Sequence, residues 1–322
     1  MHKLDKLSGI REELVDNIPI PDEIFYFQSC VASNKYPGIE SCTLDILNKL
    51  GVKPVVSEDQ TCCGGFVTFA NVAAPTASMP AVARNISLAE EQGLDICAVC
   101  NGCWTFLNEF GHFMNGNDEV RESVNMMLNM MGREYKGESD IFHIGALLYK
   151  LKDRIAENVE RPLEGLKFAT HYGCHYLGGG KYGAIDDAQY PTFIQEMVEI
   201  MGGENVEYTA SGECCGTGFT QVINDKEKSL EHSEMKLTSI RDEADPDFVI
   251  VLCPYCLSQL DRMQQQLDYR DNVELDIPII HITQLVGMAL GLSKERLAFK
   301  AHIGGQNRFK EALNKIDVDY EG

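Results

Sequence analysis

The sequence predicts an α/β protein built from two duplicated units, each with a mostly parallel sheet flanked by helices. Three observations predict it. Strand-like and helix-like segments alternate along the 322 residues, the pattern of parallel α/β architectures. The run Phe248-Val-Ile-Val-Leu252 is apolar throughout, as strands buried on both faces are. Ten of the twelve cysteines fall into two copies of one pattern, centred on Cys62-Cys63-Gly64 and Cys214-Cys215-Gly216.

The elements follow in order. Residues 1–22 are polar, carry Pro19 and Pro21 near their end, and predict a short helical or irregular extension. Residues 23–30, rich in aromatic and β-branched side chains, form a strand running to Cys30. Ile39, Leu44, Leu47 and Leu50 keep helical spacing over 38–50, and Gly51 ends that helix. A strand over 52–56 leads towards Cys62, and a helix over 79–92 is closed by Gly93. The strand at 95–99 ends at Cys100. Helices over 104–114 and 118–131, a strand at 140–143 and a helix to 152 complete the first unit.

The second unit repeats this order. A strand over 167–171 ends near Cys174, a helix covers 190–201, and residues 206–208 lead towards Cys214. A long helix over 226–244 precedes the strand 248–252, which ends at Cys253. A helix over 257–269, a strand at 276–281 and a helix over 283–292 follow. The expected division is an extension 1–22, repeats 23–155 and 156–292, and a polar surface tail 293–322. The match extends beyond cysteine: Lys35-Tyr36-Pro37-Gly38-Ile39-Glu40 answers Lys181-Tyr182-Gly183-Ala184-Ile185-Asp186, and His143-Ile144 answers His281-Ile282. Internal duplication is the economical explanation.

Composition excludes several functions. A formal net charge of −21 argues against nucleic acid, whose phosphates need a basic face. No apolar run reaches the eighteen or so residues of a membrane span, and residues 1–14 lack an apolar signal core. The cytoplasm is the expected compartment. There cysteines stay reduced, so a dense set serves as metal ligands or redox groups.

The spacing carries the chemistry. Thirty-one residues separate Cys30 from Cys62, and thirty-six separate Cys63 from Cys100-Asn101-Gly102-Cys103. Thirty-nine separate Cys174 from Cys214, and thirty-seven separate Cys215 from Cys253-Pro254-Tyr255-Cys256. Adjacent cysteines can reach the same or neighbouring metal ions, and the following glycine lets backbone approach closely. In open α/β sheets ligands bind beyond the strands' carboxyl ends, where all ten patterned cysteines are expected. Five sulfurs per copy exceed the four of tetrahedral zinc and suit an iron–sulfur cluster with extra or bridging thiolate ligation. A structural zinc on four of five cysteines, a disulfide framework and a thioredoxin-type dithiol are the alternatives.

The twice-repeated array resembles the CCG-domain family. Lys-Tyr-Pro-Gly after the first cysteine, His-Tyr-Gly-Cys-His over 171–175 and Cys-Pro-Tyr-Cys look most like its heterodisulfide reductase B-subunit branch from methanogenic archaea. The resemblance covers about residues 23–292 and implies two non-cubane [4Fe-4S] clusters. Cys30, Cys62, Cys63, Cys100 and Cys103 would hold one; Cys174, Cys214, Cys215, Cys253 and Cys256 would hold the other. It further implies that the mixed disulfide of coenzyme M and coenzyme B is cleaved between them, each cluster supplying one electron, in the last step of methanogenesis. A ferredoxin-like iron–sulfur subunit, a flavoprotein subunit and an upstream hydrogenase or formate dehydrogenase are implied as partners. The chain itself has neither a Cys-x-x-Cys-x-x-Cys ferredoxin run nor a Gly-x-Gly-x-x-Gly fingerprint. Within the family, a CCG subunit of a lactate, glycolate or succinate dehydrogenase is the alternative; outside it, a non-catalytic zinc-bearing assembly module.

Beside the arrays, Lys35 and Lys181 occupy matching loops and are candidate contacts for anionic groups of the substrate, or else exposed loop lysines. His143 and His281 end matching strands and are candidates to face the cavity, or else structural. His175, which has no histidine counterpart after Cys30, is the first choice as proton donor. Cys42 and Cys97 lie outside both arrays and are expected to be small core hydrophobes.

Overall fold

The structure, a computed structural model, describes residues 11–218, 220–318 and 320. Two four-stranded sheets form its centre. The first contains β1 (Glu23–Phe27), β2 (Lys53–Val55), β3 (Ile96–Ala98) and β4 (Ile141–His143), in the order β2-β1-β3-β4. The second contains β5 (Lys167–His171), β6 (Glu204–Asn205), β7 (Phe248–Val251) and β8 (Ile279–His281), in the order β6-β5-β7-β8. Every pairing is parallel. The duplication therefore holds in topology as well as in cysteine spacing. In each sheet the order reverses beside the first strand, which opens a crevice at the carboxyl ends.

The first-half helices are α1 (Cys30–Lys35), α2 (Pro37–Lys49), α3 (Gly65–Phe69), α4 (Pro75–Glu90), α5 (Asn101–Asn115), α6 (Asp118–Asn129), α7 (Ile144–Lys150) and α8 (Lys152–Glu157). In the second half, α9 is Cys174–Gly178, α10 Phe193–Ile200, α11 Thr220–Asn224, α12 Lys226–Ser239, α13 Pro254–Asp271 and α14 Ile282–Ala289. The C-terminal α15 (Lys294–Leu297) and α16 (Gln306–Asn314) follow.

Several boundaries differ from the sequence expectation for local reasons. The helix expected from 104 begins at Asn101 because Cys100 serves as its extended N-cap residue (φ −124°, ψ 126°). Cys253 repeats that geometry (φ −124°, ψ 121°), with Pro254 pre-set for the first turn of α13. Pro75 likewise starts α4 four residues before the expected 79. The strand expected over 276–281 begins only at Ile279, since Pro278 has no N–H to give a ladder.

One continuous apolar core spans both sheets. Helices cross between the halves: α14 packs on α2, and a Cβ on Gly38 would stand 2.1 Å from the Leu297 carbonyl oxygen. Only a glycine permits that approach. Cys42 and Cys97 are fully buried, as small core residues.

Of the extension, residues 1–10 lie outside the described residues, and 11–16 are helical. Buried Arg11 donates to Asp186 at 2.8 Å and also to Glu196 and Thr192, against the Tyr149 ring. It thus ties the extension to both halves. The tail does more than lie on the surface. Phe299 and Phe309 are buried against Phe248, with the Phe248 and Phe309 rings 5.7 Å apart. Within α16, Phe309, Ala312 and Leu313 share one buried face, which the tail's overall polarity hides.

Candidate metal centre

Each cysteine's position follows from a strand end. Cys30 and Cys174 begin α1 and α9, just past β1 and β5. Cys100 and Cys253 follow β3 and β7 and cap α5 and α13. Cys103 and Cys256 sit one turn further along those helices. Gly64 and Gly216, at φ 81° and 98°, turn the chain so that amide N–H groups point back at the paired cysteines. Gly64 donates to Cys62 Sγ at 3.4 Å, Gly65 to Cys63 Sγ at 3.4 Å and Gly216 to Cys214 Sγ at 3.3 Å. Such donors stabilise thiolate over thiol.

In the first array the sulfurs contact in the series Cys30, Cys62, Cys63, Cys103, Cys100. In the second they run Cys214, Cys215, Cys256, Cys253, with Cys215 and Cys256 3.3 Å apart. Cys174 stands at the rim, in electrostatic reach of Cys215 and Cys253 and 3.7 Å from His175 Nδ1. The arrays meet at Cys100 Sγ and Cys253 Sγ, 3.7 Å apart. Nine of the ten patterned cysteines thus form one continuous, two-part sulfur site at the junction of the halves, with Cys174 at its rim.

Competition for protons runs through both parts. Hydrogen bonds from Cys30 and from Cys103 hold the Cys62 and Cys100 thiols below the ordinary value. Their partners Cys30 and Cys103 are pushed up in turn. In the second array the bond with Cys214 lowers Cys215, and the bond with Cys215 raises Cys256.

Buried His171 gives an independent test of what fits here. Neither of its ring nitrogens has an oxygen or nitrogen partner, and a ring nitrogen, Cys215 Sγ and Cys256 Sγ lie within 4.8 Å of one another. Buried polar atoms are ordinarily satisfied. An imidazole beside two cysteine sulfurs fits a bound metal–sulfur group, which would supply both ligand sites for thiolate and an acceptor for N–H.

The two parts are walled differently. Tyr255 of α13 stacks on Phe66 at 6.0 Å and lines the first part beside Cys30, Cys62 and Gly102. Its counterpart in the first half is Gly102, so the second part lacks that cover. Phe69 lines the same part and also lies 4.8 Å from the His175 ring.

The remaining predicted residues are placed as follows. Burial lowers His175, while Cys253, Cys215 and Glu109 pull it back up. His281 is fully buried; Nδ1 meets Thr283 Oγ1 at 2.9 Å, and Nε2 lies 3.1 Å from the carbonyl oxygens of Val99 and Leu252. It therefore clamps the residues preceding Cys100 and Cys253, and both its nitrogens are engaged. His143 is buried too, and its Nδ1 accepts from Gly145 N–H at 3.0 Å. Lys35 is exposed near Cys30 and Arg262, and the like charge of Arg262 adds to burial in lowering it. Lys181 lies over the Tyr182 ring at 4.6 Å, within electrostatic reach of Glu109.

The sequence reading missed Arg262 and Lys236. Glu109 and Arg262 each stand six residues after the last cysteine of a Cys-x-x-Cys, so aligning the repeats would have exposed the charge reversal. Lys236 shares the buried face of α12 with Leu230, Ser233 and Leu237, an interruption of a helical stripe that periodicity can flag.

The CCG cysteine-rich domain model matches residues 24–108 and 168–261. The chain is 35% identical to the B-subunit of the ferredoxin/F420H2-dependent CoB–CoM heterodisulfide reductase of Methanosarcina acetivorans, over 85% of this chain and 91% of that protein. It is 28% identical to the 8-methylmenaquinol:fumarate reductase membrane anchor subunit of Wolinella succinogenes, over 87% of this chain and 96% of that one. In fold it resembles a hypothetical protein from Helicobacter pylori, with TM-score 0.67 and 14% identity, over 92% of this chain and 57% of the other. Among the described residues no helix is long and apolar enough to cross a membrane.

Proposed function

We propose that this chain, which belongs to the CCG cysteine-rich domain family, is the disulfide-reducing iron–sulfur subunit of an electron-transfer complex. The observation that carries the reading is the contact of the two five-cysteine arrays, Cys100 Sγ to Cys253 Sγ, at 3.7 Å. The substrate is the mixed disulfide of coenzyme M and coenzyme B, as the name of the 35%-identical relative supports. Two electrons and two protons convert it to two thiols. Bound at the ten cysteines, two [4Fe-4S] clusters of the non-cubane type would each supply one electron and a thiophilic metal for one sulfur.

The chain's own side chains do the rest. Tyr255, Phe66 and Phe69 wall one side of the first part, whose other side opens past Gln28, Ser33 and Gln60. His175, whose proton affinity rises with negative charge at Cys253 and Cys215, delivers a proton to a departing thiolate. His281 sets the separation of the two parts through Val99 and Leu252, and His143 caps the matching helix. Lys35 and Arg262 attract the anionic groups of the substrate. Lys181, offset by Glu109, contributes less. Electrons arrive from a ferredoxin-like iron–sulfur subunit and a flavoprotein, with a hydrogenase or formate dehydrogenase further upstream.

Metal content and turnover test this. Protein purified without oxygen should carry about eight irons and eight sulfides with little zinc, and should cleave the heterodisulfide with reduced viologen. Zinc alone would leave a structural module. Full clusters without heterodisulfide cleavage would favour a relay to another acceptor, the reading that the similarity to the fumarate reductase subunit supports.

A further inference from the structure

The two halves differ most in what lies behind their paired cysteines. Ser78 packs on Gly64 and Ser229 on Gly216, so α4 and α12 meet the two turns in the same way. Seven residues after each serine stands a fully buried polar side chain, Asn85 in the first half and Lys236 in the second. Asn85 is a neutral bracket: its Oδ1 accepts from Thr61 N–H at 2.9 Å, and its Nδ2 donates to the Cys62 carbonyl at 3.1 Å.

Lys236 is a cation. Its Nζ donates to the carbonyl oxygens of Ala210 at 2.6 Å and Ser211 at 3.1 Å. Its third neighbour is Tyr208 Oη at 3.5 Å. That hydroxyl already donates to the Thr170 carbonyl at 3.0 Å, so towards Lys236 it can only accept. Three acceptors and no donor around one nitrogen call for an ammonium; burial lowers it to about 8, so the charge is present at pH 7 and lost above about 8. Its charge acts on Cys215, Cys256 and Cys214, and the carboxylate in reach, Glu213, is exposed.

A buried charge is screened far less than an exposed one. Near the first array the corresponding cation is Lys35, which is exposed and beside water. We propose that the Lys236 ammonium makes the second five-cysteine site the more easily reduced of the two, so that electrons fill it first. This rests on the iron–sulfur reading above. It gives the duplicated sites unequal roles, with the second as the electron reservoir and the first, under Tyr255, as the site that passes its electron on more readily.

The test is a potentiometric titration of the anaerobic, iron-loaded chain followed by electron paramagnetic resonance. Cys174→Ser identifies the couple belonging to the second site. Wild type should show that couple as the higher, by at least tenfold in equilibrium constant, which is about 59 mV for one electron. Lys236→Gln, which keeps a donor to the carbonyls, should lower that couple at least tenfold and leave the other in place. Lys236→Arg should keep it within threefold of wild type. Coincident or inverted couples in wild type overturn the inference and need no Lys236 variant to fold. So does Lys236→Gln moving both couples equally or neither, or Lys236→Arg behaving like Lys236→Gln. Protein that takes up no iron overturns the proposed function itself, a separate failure from loaded protein with equal couples.

Discussion

Acidification from pH 7.5 to 5.5 should destabilise the metal-free fold through three histidines buried as neutral rings. His143, His281 and His302 are 1%, 0% and 4% exposed, and burial is the main cause that holds them at about 3, about 4 and about 3. The unfolded chain binds their protons near 6.5. Stability is therefore fully present above that value and is lost as pH falls towards the folded values. At pH 5.5 the unfolded rings lie one unit below their midpoint, which costs about 1.4 kcal/mol each and about 4 kcal/mol together. His171 and His175, which burial also lowers, and the lowered thiols of Cys62, Cys100 and Cys215 add to this loss, whereas Asp95, Asp186 and Asp261, whose carboxyls burial pushes up, act in the opposite sense. Their offset belongs mainly to more acid solutions. Urea unfolding of reduced, cluster-free protein at several pH values would measure the loss. His302→Phe should remove about 1.4 kcal/mol of the loss between pH 7.5 and 5.5, because Gln284 Nε2, which bonds His302 Nε2 at 3.0 Å, keeps the Leu297 carbonyl as a partner. A total change below about 1 kcal/mol, or an unaltered slope in His302→Phe, would refute the buried-neutral argument.

Three further outcomes are expected. Lys35→Ala and Arg262→Ala should each raise KM about fivefold, from about 1 kcal/mol of screened attraction, with iron content intact; Lys181→Ala should change it less than either, and equal effects at all three would sink the assignment. Arg11→Met strips the charge partner from Asp186, whose side chain is 1% exposed, and should lower unfolding stability by about 3 kcal/mol, read from the urea midpoint. Cys253→Ala should reduce iron from about eight to about four per chain and abolish heterodisulfide cleavage; full iron retention would remove Cys253 from the ligand set.

Much of the fold was legible because its signals are local. Strand β7, Phe248–Val251, falls on the expected 248–252, since a short β-branched and aromatic run between polar turns reads as a strand. Boundaries moved where a cap or proline decided them, as at Cys100, Pro75 and Pro278. The short helices α1, α3 and α9 were invisible. At five or six residues they are too short to show helical periodicity and form only because packing holds them. The core role of the tail was hidden for a related reason: a few apolar residues on one face are diluted by the polar remainder.

The parts themselves are local features: ten cysteines in two registers, their place after strands, and the duplication that pairs them. Spacing suffices for this, because a strand's end and a helix's first turn are defined within a few residues. How the parts meet is set by packing over long range. Cys100 against Cys253, His281 against Val99, and Lys35 beside Arg262 all join residues more than 150 apart. Lys236 behind the second array differs from Asn85 behind the first through the charge buried there. Burial and long-range proximity arise from packing the two sheets together, and no local pattern encodes them.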